Sequence, residues 1–141
     1  MSFQFQILEP SQINDIIPLV QQLTSHKCSD DILKERFAVM VTENYECAVI
    51  FDRQKLIGVS GLWYCTRHYA GKSVELDHVF ISEDYRNKGL GKQFLEWIYN
   101  HVKTKGVKAA ELNTYVQNYS SHKFYYNEGF EILGYHFLKK L

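Results

Sequence analysis

Two glycines one residue apart stand where a strand gives way to a helix, in the segment Val79-Phe80-Ile81-Ser82-Glu83-Asp84-Tyr85-Arg86-Asn87-Lys88-Gly89-Leu90-Gly91-Lys92. Gly89 and Gly91 let the backbone approach a ligand closely, and the unpaired N–H groups of a helix start converge on one place with the helix dipole behind them. The chemistry favoured is capture of an anion, and a pyrophosphate suits the geometry. Two well-known phosphate loops fit badly. A GxxxxGK[ST] loop fails because Gly91-Lys92 is followed by Gln93 and no glycine stands five residues before Gly91. A GxGxxG dinucleotide loop fails because its third position is Phe94 and the segment lies after several strands rather than on the first βα unit. ATP hydrolysis and NAD chemistry are both disfavoured.

Upstream on the same strand, the period of two puts residues 73, 75, 77, 79 and 81 on one face, with carboxylates at Glu75 and Asp77. Two neighbouring carboxylates raise the pKa of one of them toward a value useful for moving protons. His78 falls on the opposite face among Val74, Leu76 and Phe80, which reads as a core histidine. The six histidines form no HxxxH or HxxH pair, and Cys28, Cys47 and Cys65 show no CxxC spacing. No metal centre or disulfide framework is expected from them, and buried reduced thiols are the simple reading.

The elements that must position these residues follow from periodicity. Phe3, Phe5 and Ile7 alternate as in a strand covered on one face. Ile13, Ile16, Ile17, Val20 and Leu23 recur at helical spacing, with Pro18 interrupting, and Ser29-Asp30-Asp31 opens a second helix. Strands are predicted at 46–51 and 55–64, joined by a turn at 52–54, and at 73–81. A strong amphipathic helix runs from Gly89 to about Lys105 on Leu90, Phe94, Leu95, Ile98 and Val102. A short strand near 108–115, a helix near 119–128 closed by Gly129, and an aromatic strand near 130–139 complete the order βααβββαβαβ. The pattern implies an α/β fold with a mixed central sheet and helices on both faces. No linker or repeat divides the 141 residues, so residues 1–141 are expected to form one domain.

Composition narrows the function classes. With 45% hydrophobic and 23% charged residues the chain can bury a core and is not of a disordered class. Sixteen basic against sixteen acidic residues leave no global field to hold nucleic acid or an anionic membrane. No apolar run reaches the length of a bilayer span and no leader pattern opens the chain, so a cytoplasmic protein is expected.

The spacing Arg86-x-x-Gly89-x-Gly91, opening the longest helix, resembles the acetyl-CoA signature [QR]-x-x-G-x-[GA] of the GCN5-related N-acetyltransferase (GNAT) family. Asn118 followed by Phe124-Tyr125-Tyr126-Asn127-Glu128-Gly129-Phe130 resembles that family's N…FYxxxGF stretch, and the element order is similar over nearly the whole chain. The resemblance implies acetyl-CoA as co-substrate. It implies that the backbone of Val79, Phe80 and Ile81 holds the pantetheine arm, the N–H of Val79 facing the thioester carbonyl and stabilising oxyanion charge there. Asn87, Lys88, Gly89, Leu90, Gly91 and Lys92 would wrap the pyrophosphate, Arg86 would shape the loop, and Asn118 would touch the cofactor.

Transfer to an amine needs a neutral nucleophile and a proton for the departing thiolate. By resemblance Glu75, eleven residues before Arg86, takes the amine's proton, with Asp77 sharing the work. Tyr125, four residues before Gly129, protonates the thiolate, while Tyr126 would point some 100° away. His122 carries no specific role. Trp63, Tyr64, His68 and Tyr69 are candidates to line the acceptor pocket or to pack in the core. The last third, from Glu111-Leu112-Asn113-Thr114 to Leu141, is loosely similar to small-molecule acetyltransferases of the aminoalkylphosphonate type, which does not fix the acceptor. The leading expectation is direct acetyl transfer to a primary amine of a small molecule. The alternatives are a protein lysine or N-terminal amine as acceptor, or a non-catalytic acyl-CoA-binding module. The aromatic C-terminal strand is a candidate homodimer surface.

Overall fold

The computed structural model describes residues 2–141. Its frame is a five-stranded sheet in the order β1-β2-β3-β4-β5, formed by β1 (Phe3–Ile7), β2 (Tyr45–Asp52), β3 (Lys55–Arg67), β4 (Gly71–Ile81) and β5 (Ala109–Leu112). Strands β1 to β4 are antiparallel neighbours linked by short turns or by the helical pair after β1, whereas β5 lies parallel to β4. A parallel neighbour requires a crossover, and α3 (Leu90–Lys103) supplies it. The expected mixed sheet with helices on both faces is therefore what forms.

Each face of the sheet has its own apolar core. On one face the stripe Leu90, Phe94, Leu95, Ile98 and Val102 of α3 packs on Ala48, Ile50, Ile57, Leu62, Val74 and Leu76. On the other face α1 (Ile17–Thr24) and α2 (Asp30–Met40) place Ile17, Leu19, Val20 and Phe37 against Tyr45, Cys47, Val49 and Val59. The helical period before Pro18 is realised as a 3-10 segment, Pro10–Ile16, so that Pro18 falls in the first turn of α1, where its missing N–H costs nothing. Ser29 caps α2 by accepting from the Ile32 N–H, with Asp30 and Asp31 at the positive end of the helix dipole.

Two expectations are corrected. The aromatic strand near 130–139 does not form: after α4 (Tyr119–Asn127) and Gly129 the chain runs on without secondary structure, and residues 131–141 are exposed. Alternation gives a segment the capacity to be a strand, but a strand exists only when paired, and no strand of this chain reaches it. The second correction concerns β4. Val59 faces Phe80 and Gly61 faces Asp77, so β4 spends one more residue than β3 between these pairs. The extra residue is His78, whose φ of 37° marks the bulge. Past it the faces exchange. Val79 and Ile81 join Val74 and Leu76 on the α3 face, whereas His78 and Phe80 lie on the α1/α2 face with Glu75 and Asp77.

The His78 ring is held in a notch. Its Nε2 is 2.8 Å from the Tyr45 hydroxyl, it meets Phe37 edge to face, and a Cβ added at Gly61 would lie 2.3 Å from Nε2. Gly61 is thus the floor that makes room for the bulged side chain. Gly61→Ala is expected to lower the unfolding free energy by about 1–3 kcal/mol, the cost of overpacking a filled site. Adding His78→Ala should return part of that loss, and urea denaturation of both single variants and the double variant reads the coupling.

Candidate active site

The two strands around the crossover part company. β5 ends at Leu112 opposite Leu76, but β4 continues to Ile81, so Asp77–Ile81 has no neighbour on the β5 side. The direction of the free groups follows from the ladder. Ser82 donates its N–H to the Ile57 carbonyl at 2.8 Å, so Ser82, and Phe80 two residues before it, turn their main chain toward β3. Ile81, and Val79 by the same alternation, turn theirs to the open edge. Arg86 confirms the direction for Ile81, whose carbonyl accepts from the Arg86 Nε at 2.8 Å. The Arg86 guanidinium also lies over the Phe80 ring, so this side chain ties the loop to the strand end.

Beyond Arg86 the chain makes a tight entry into α3. Asn87 has φ 61° and Gly89 φ 75°, both left-handed. Gly89 occupies the cap position and no side chain caps the helix start. The first-turn N–H groups from Leu90 onward therefore stay free to meet an anion. Gly91 lies against Phe124 and Ile81: a Cβ there would stand 3.4 Å from Phe124 Cζ and 3.7 Å from Ile81 Cδ1, ordinary packing distances. That contact docks α4 beside both the open strand edge and the helix start. Lys88 and Lys92 are exposed at the mouth of the loop. An extended chain carrying a pyrophosphate fits this donor set, since the strand edge offers main-chain pairing and the helix start offers N–H groups and positive dipole.

Tyr125 follows Phe124 and is half-buried among Phe124, Phe130 and the α3-side core. Burial pushes its phenol up to about 12, so it keeps its proton through the neutral range. Tyr126 is 60% exposed and points away, as its helical angle predicts. Asn118 caps α4, its side-chain oxygen accepting from the Ser121 N–H at 3.4 Å. His122 bonds the Tyr115 carbonyl through Nε2 at 2.9 Å and so pins the loop before α4.

On the α1/α2 face a row of carboxylates crosses the sheet. Glu75 of β4 stands between its cross-strand partners Trp63 of β3 and Glu111 of β5. Asp77 has a partner on each oxygen, Oδ1 accepting from the His78 N–H at 2.8 Å and Oδ2 from Trp63 Nε1 at 3.1 Å. Glu111 accepts from Arg67 at 3.0 Å and from the Tyr69 hydroxyl. Glu75 has a single weak partner, Asn113 Nδ2 at 3.4 Å. Of the predicted pocket aromatics, Trp63 and Tyr69 touch this row, whereas Tyr64 turns to the other face and donates to Glu46 at 2.6 Å. Glu111 and Asn113 escaped the sequence reading because only the register of β5 brings them beside Glu75, and Arg67 of β3 because it joins the row through Glu111.

The chain resembles known proteins over most of its length. The model of the acetyltransferase (GNAT) family matches residues 13–130. The chain belongs to that family. It is accordingly an acetyl-CoA-dependent N-acetyltransferase by family. Aminoalkylphosphonate N-acetyltransferase of Salmonella typhimurium is 21% identical over 130 residues, covering 91% of this chain and 84% of that protein. The aminoglycoside N-acetyltransferase AAC(6')-Iy, in complex with CoA, superposes with a TM-score of 0.85 at 16% identity, over 99% of this chain and 95% of that one. A ribosomal-protein-alanine N-acetyltransferase from Brucella melitensis biovar Abortus 2308 gives 0.80 at 14% identity, over 98% and 99%. At such identities the likeness is one of fold, and it spans proteins named for quite different acceptors. Among the described residues no helix is long and apolar enough to cross a membrane.

The buried polar groups around the site set a pH dependence. Burial pushes the His78 imidazole below its ordinary value against the opposing pull of Asp77, and its Nδ1 has no partner. The unfolded chain therefore takes up a proton below about pH 6.5 that the folded chain refuses, so stability is lost as pH falls from there. Glu46 adds a second window. Burial raises its carboxyl, but hydrogen bonds from Tyr64, His101 and Lys105 outweigh that and hold it below the usual range, so its contribution is lost only under more acidic conditions. Melting temperatures between pH 5 and pH 8 should fall on the acid side, and His78→Gln should flatten that fall.

Proposed function

We propose that this chain, acting as one domain over residues 1–141 in the cytoplasm, transfers the acetyl group of acetyl-CoA directly to a primary amine of a small molecule. The observation that carries the reading is the open edge of β4 at Val79 and Ile81, which leads into the uncapped start of α3 and lies next to an acidic row on the adjoining face. Acetyl-CoA would supply an acyl group already activated as a thioester. Val79 and Ile81 would hold its extended arm by main-chain bonds, and the N–H groups from Asn87 to Lys92 would receive its pyrophosphate.

The amine reaches the site as a cation, and Glu75, Asp77 and Glu111 with a single opposing Arg67 attract it. Before it can attack, it must lose a proton. Glu75 is the least engaged carboxylate, since Asp77 is held by Trp63 and the His78 N–H and Glu111 by Arg67 and Tyr69. Four residues separate it from Val79, about 13 Å of strand, so the proton travels through water past Asp77. Asp77 is then a positioning residue for Trp63 and for the bulge. Tyr125, protonated at neutral pH and carried on the helix that docks at the strand end, supplies the proton to the departing thiolate.

Support for a small acceptor comes from the curated relative named for aminoalkylphosphonate, and from the narrow row of polar groups between Trp63 and Glu111. The deciding experiment follows thiol release with acetyl-CoA over a panel of small amines and lysine peptides. Turnover of peptides with none of small amines would overturn the choice of acceptor. On the best amine, Tyr125→Phe should lower kcat about 10²-fold without changing acetyl-CoA affinity. Glu75→Gln should lower kcat/KM by a similar factor. Gly89→Val, strained by about 1–2 kcal/mol at a left-handed φ, should weaken acetyl-CoA binding roughly tenfold by calorimetry.

A further inference from the structure

The loop that leads into α3 is held from outside by one side chain. From Glu83 to Gly89 every residue is exposed except Tyr85, whose ring packs against the core on the α3 side and meets Phe3 of β1 edge to face at 6.0 Å. The main chain of the loop makes a single turn, with the Tyr85 N–H on the Ser82 carbonyl and the Arg86 N–H on that of Glu83. The left-handed residues Asn87 and Gly89 follow directly. Arg86 reaches back to the Ile81 carbonyl and so holds the loop at its own root, whereas Tyr85 reaches a separate hairpin.

That hairpin is a firm post. The Tyr85 hydroxyl donates to Asp52 Oδ2 at 2.7 Å, and Asp52 ends β2 between β1 and β3. Asp52 pairs with Phe3 and with Lys55, its Oδ1 accepts from the Ser2 N–H at 3.3 Å, and the Arg53 N–H bonds the Ser2 carbonyl at 3.0 Å. The Asp52 carboxylate holds the Tyr85 phenol above its ordinary range, so the donor keeps its proton at neutral pH. Two ammonium groups lie over the ring, each 5.9 Å from its centroid: Lys55 from the hairpin and Lys88 from the loop. The ring that Asp52 anchors is thus also the perch of a cation standing one residue before Gly89.

We propose that Tyr85 is a positioning residue for the loop Asn87–Lys92, and that its bond to Asp52 sets the affinity for the pyrophosphate-bearing part of acetyl-CoA. This role rests on the reading that the loop receives the pyrophosphate, and it assigns control of the loop's shape to a hairpin 33 residues earlier in the chain. A cradle of main-chain N–H groups binds an anion only while those groups converge. A loop free to rearrange loses affinity by the fraction of time it spends in other shapes.

S-acetylpantetheine has the thioester and the arm of acetyl-CoA without the pyrophosphate, and so isolates the loop. The unaltered chain should bind acetyl-CoA more tightly than S-acetylpantetheine by calorimetry. Tyr85→Phe and Asp52→Ala should each weaken acetyl-CoA about tenfold, the double variant no more than either alone, with S-acetylpantetheine unaffected throughout. Asp52→Asn, which keeps an oxygen to accept the hydroxyl, should retain most of the affinity. On the best amine, Tyr85→Phe and Asp52→Ala should raise the KM for acetyl-CoA and leave kcat at saturation in place, a split that a general loss of structure does not give. Equal weakening of both donors, additive effects, or unaltered acetyl-CoA affinity in Tyr85→Phe would overturn the proposal and leave the cradle standing. An unaltered chain that binds the two donors equally would overturn the cradle, and this role with it. Should Tyr85→Phe fail to fold by circular dichroism, Asp52→Ala against Asp52→Asn decides.

Discussion

One extra residue in β4 governs the arrangement around it. A sheet of perfect alternation would carry Glu75, Asp77, Val79 and Ile81 on the same face. The bulge at His78 breaks that sequence, so the carboxylates look toward α1 and α2 while the strand end turns Val79 and Ile81 into the core beneath α3. The carboxylates and the apolar side chains of the strand end are thereby separated onto different faces of one strand. The bulge needs a left-handed φ at a non-glycine residue, a ring-sized space over Gly61 and a carboxylate to accept the His78 N–H. Such a conformation costs free energy and survives because Tyr45, Phe37 and Asp77 jointly fix it.

Around that strand the electrostatics divide cleanly. The start of α3 offers uncapped N–H groups with Lys88 and Lys92 nearby, while its last turn carries His101 and Lys103 against the negative end of the dipole. His101 and Lys105 both meet Glu46, which also receives the Tyr64 hydroxyl, so the far end of α3 is tied to β2 and β3. The crossover helix is thus clamped at its C-terminus and left open at its N-terminus. A chain of zero net charge thus concentrates uncapped N–H groups and two lysines at one end of this helix.

Much of this was legible in the residues. Period and turn chemistry located β1 to β4 and α3, because both cores demand regular apolar stripes. Gly89, at a left-handed φ, stands at the turn into α3 where the sequence placed it. Other features were hidden for physical reasons. The bulge was invisible because a single inserted residue leaves the apolar pattern on either side intact and alters only its phase. The engagement of Asp77 by Trp63, and of Glu111 by Arg67 and Tyr69, depends on strand register rather than on spacing along the chain. The 130–139 segment has the alternation of a strand, but pairing is a property of neighbours and not of the segment.

The short seam between β4 and β5 has a consequence for how the molecule comes apart. Only Ser73–Leu76 joins Ala109–Leu112, and no residue of α4 is fully buried. The antiparallel block of β1 to β4, by contrast, is covered by a separate core on each face. Cooperative units of a protein open in order of how strongly they are held. β5, α4 and residues 131–141 are therefore the most weakly held part of the single chain, able to detach while the remainder keeps its packing. Any molecule that bridges the open edge of β4 and this unit draws its affinity partly from closing that fluctuation.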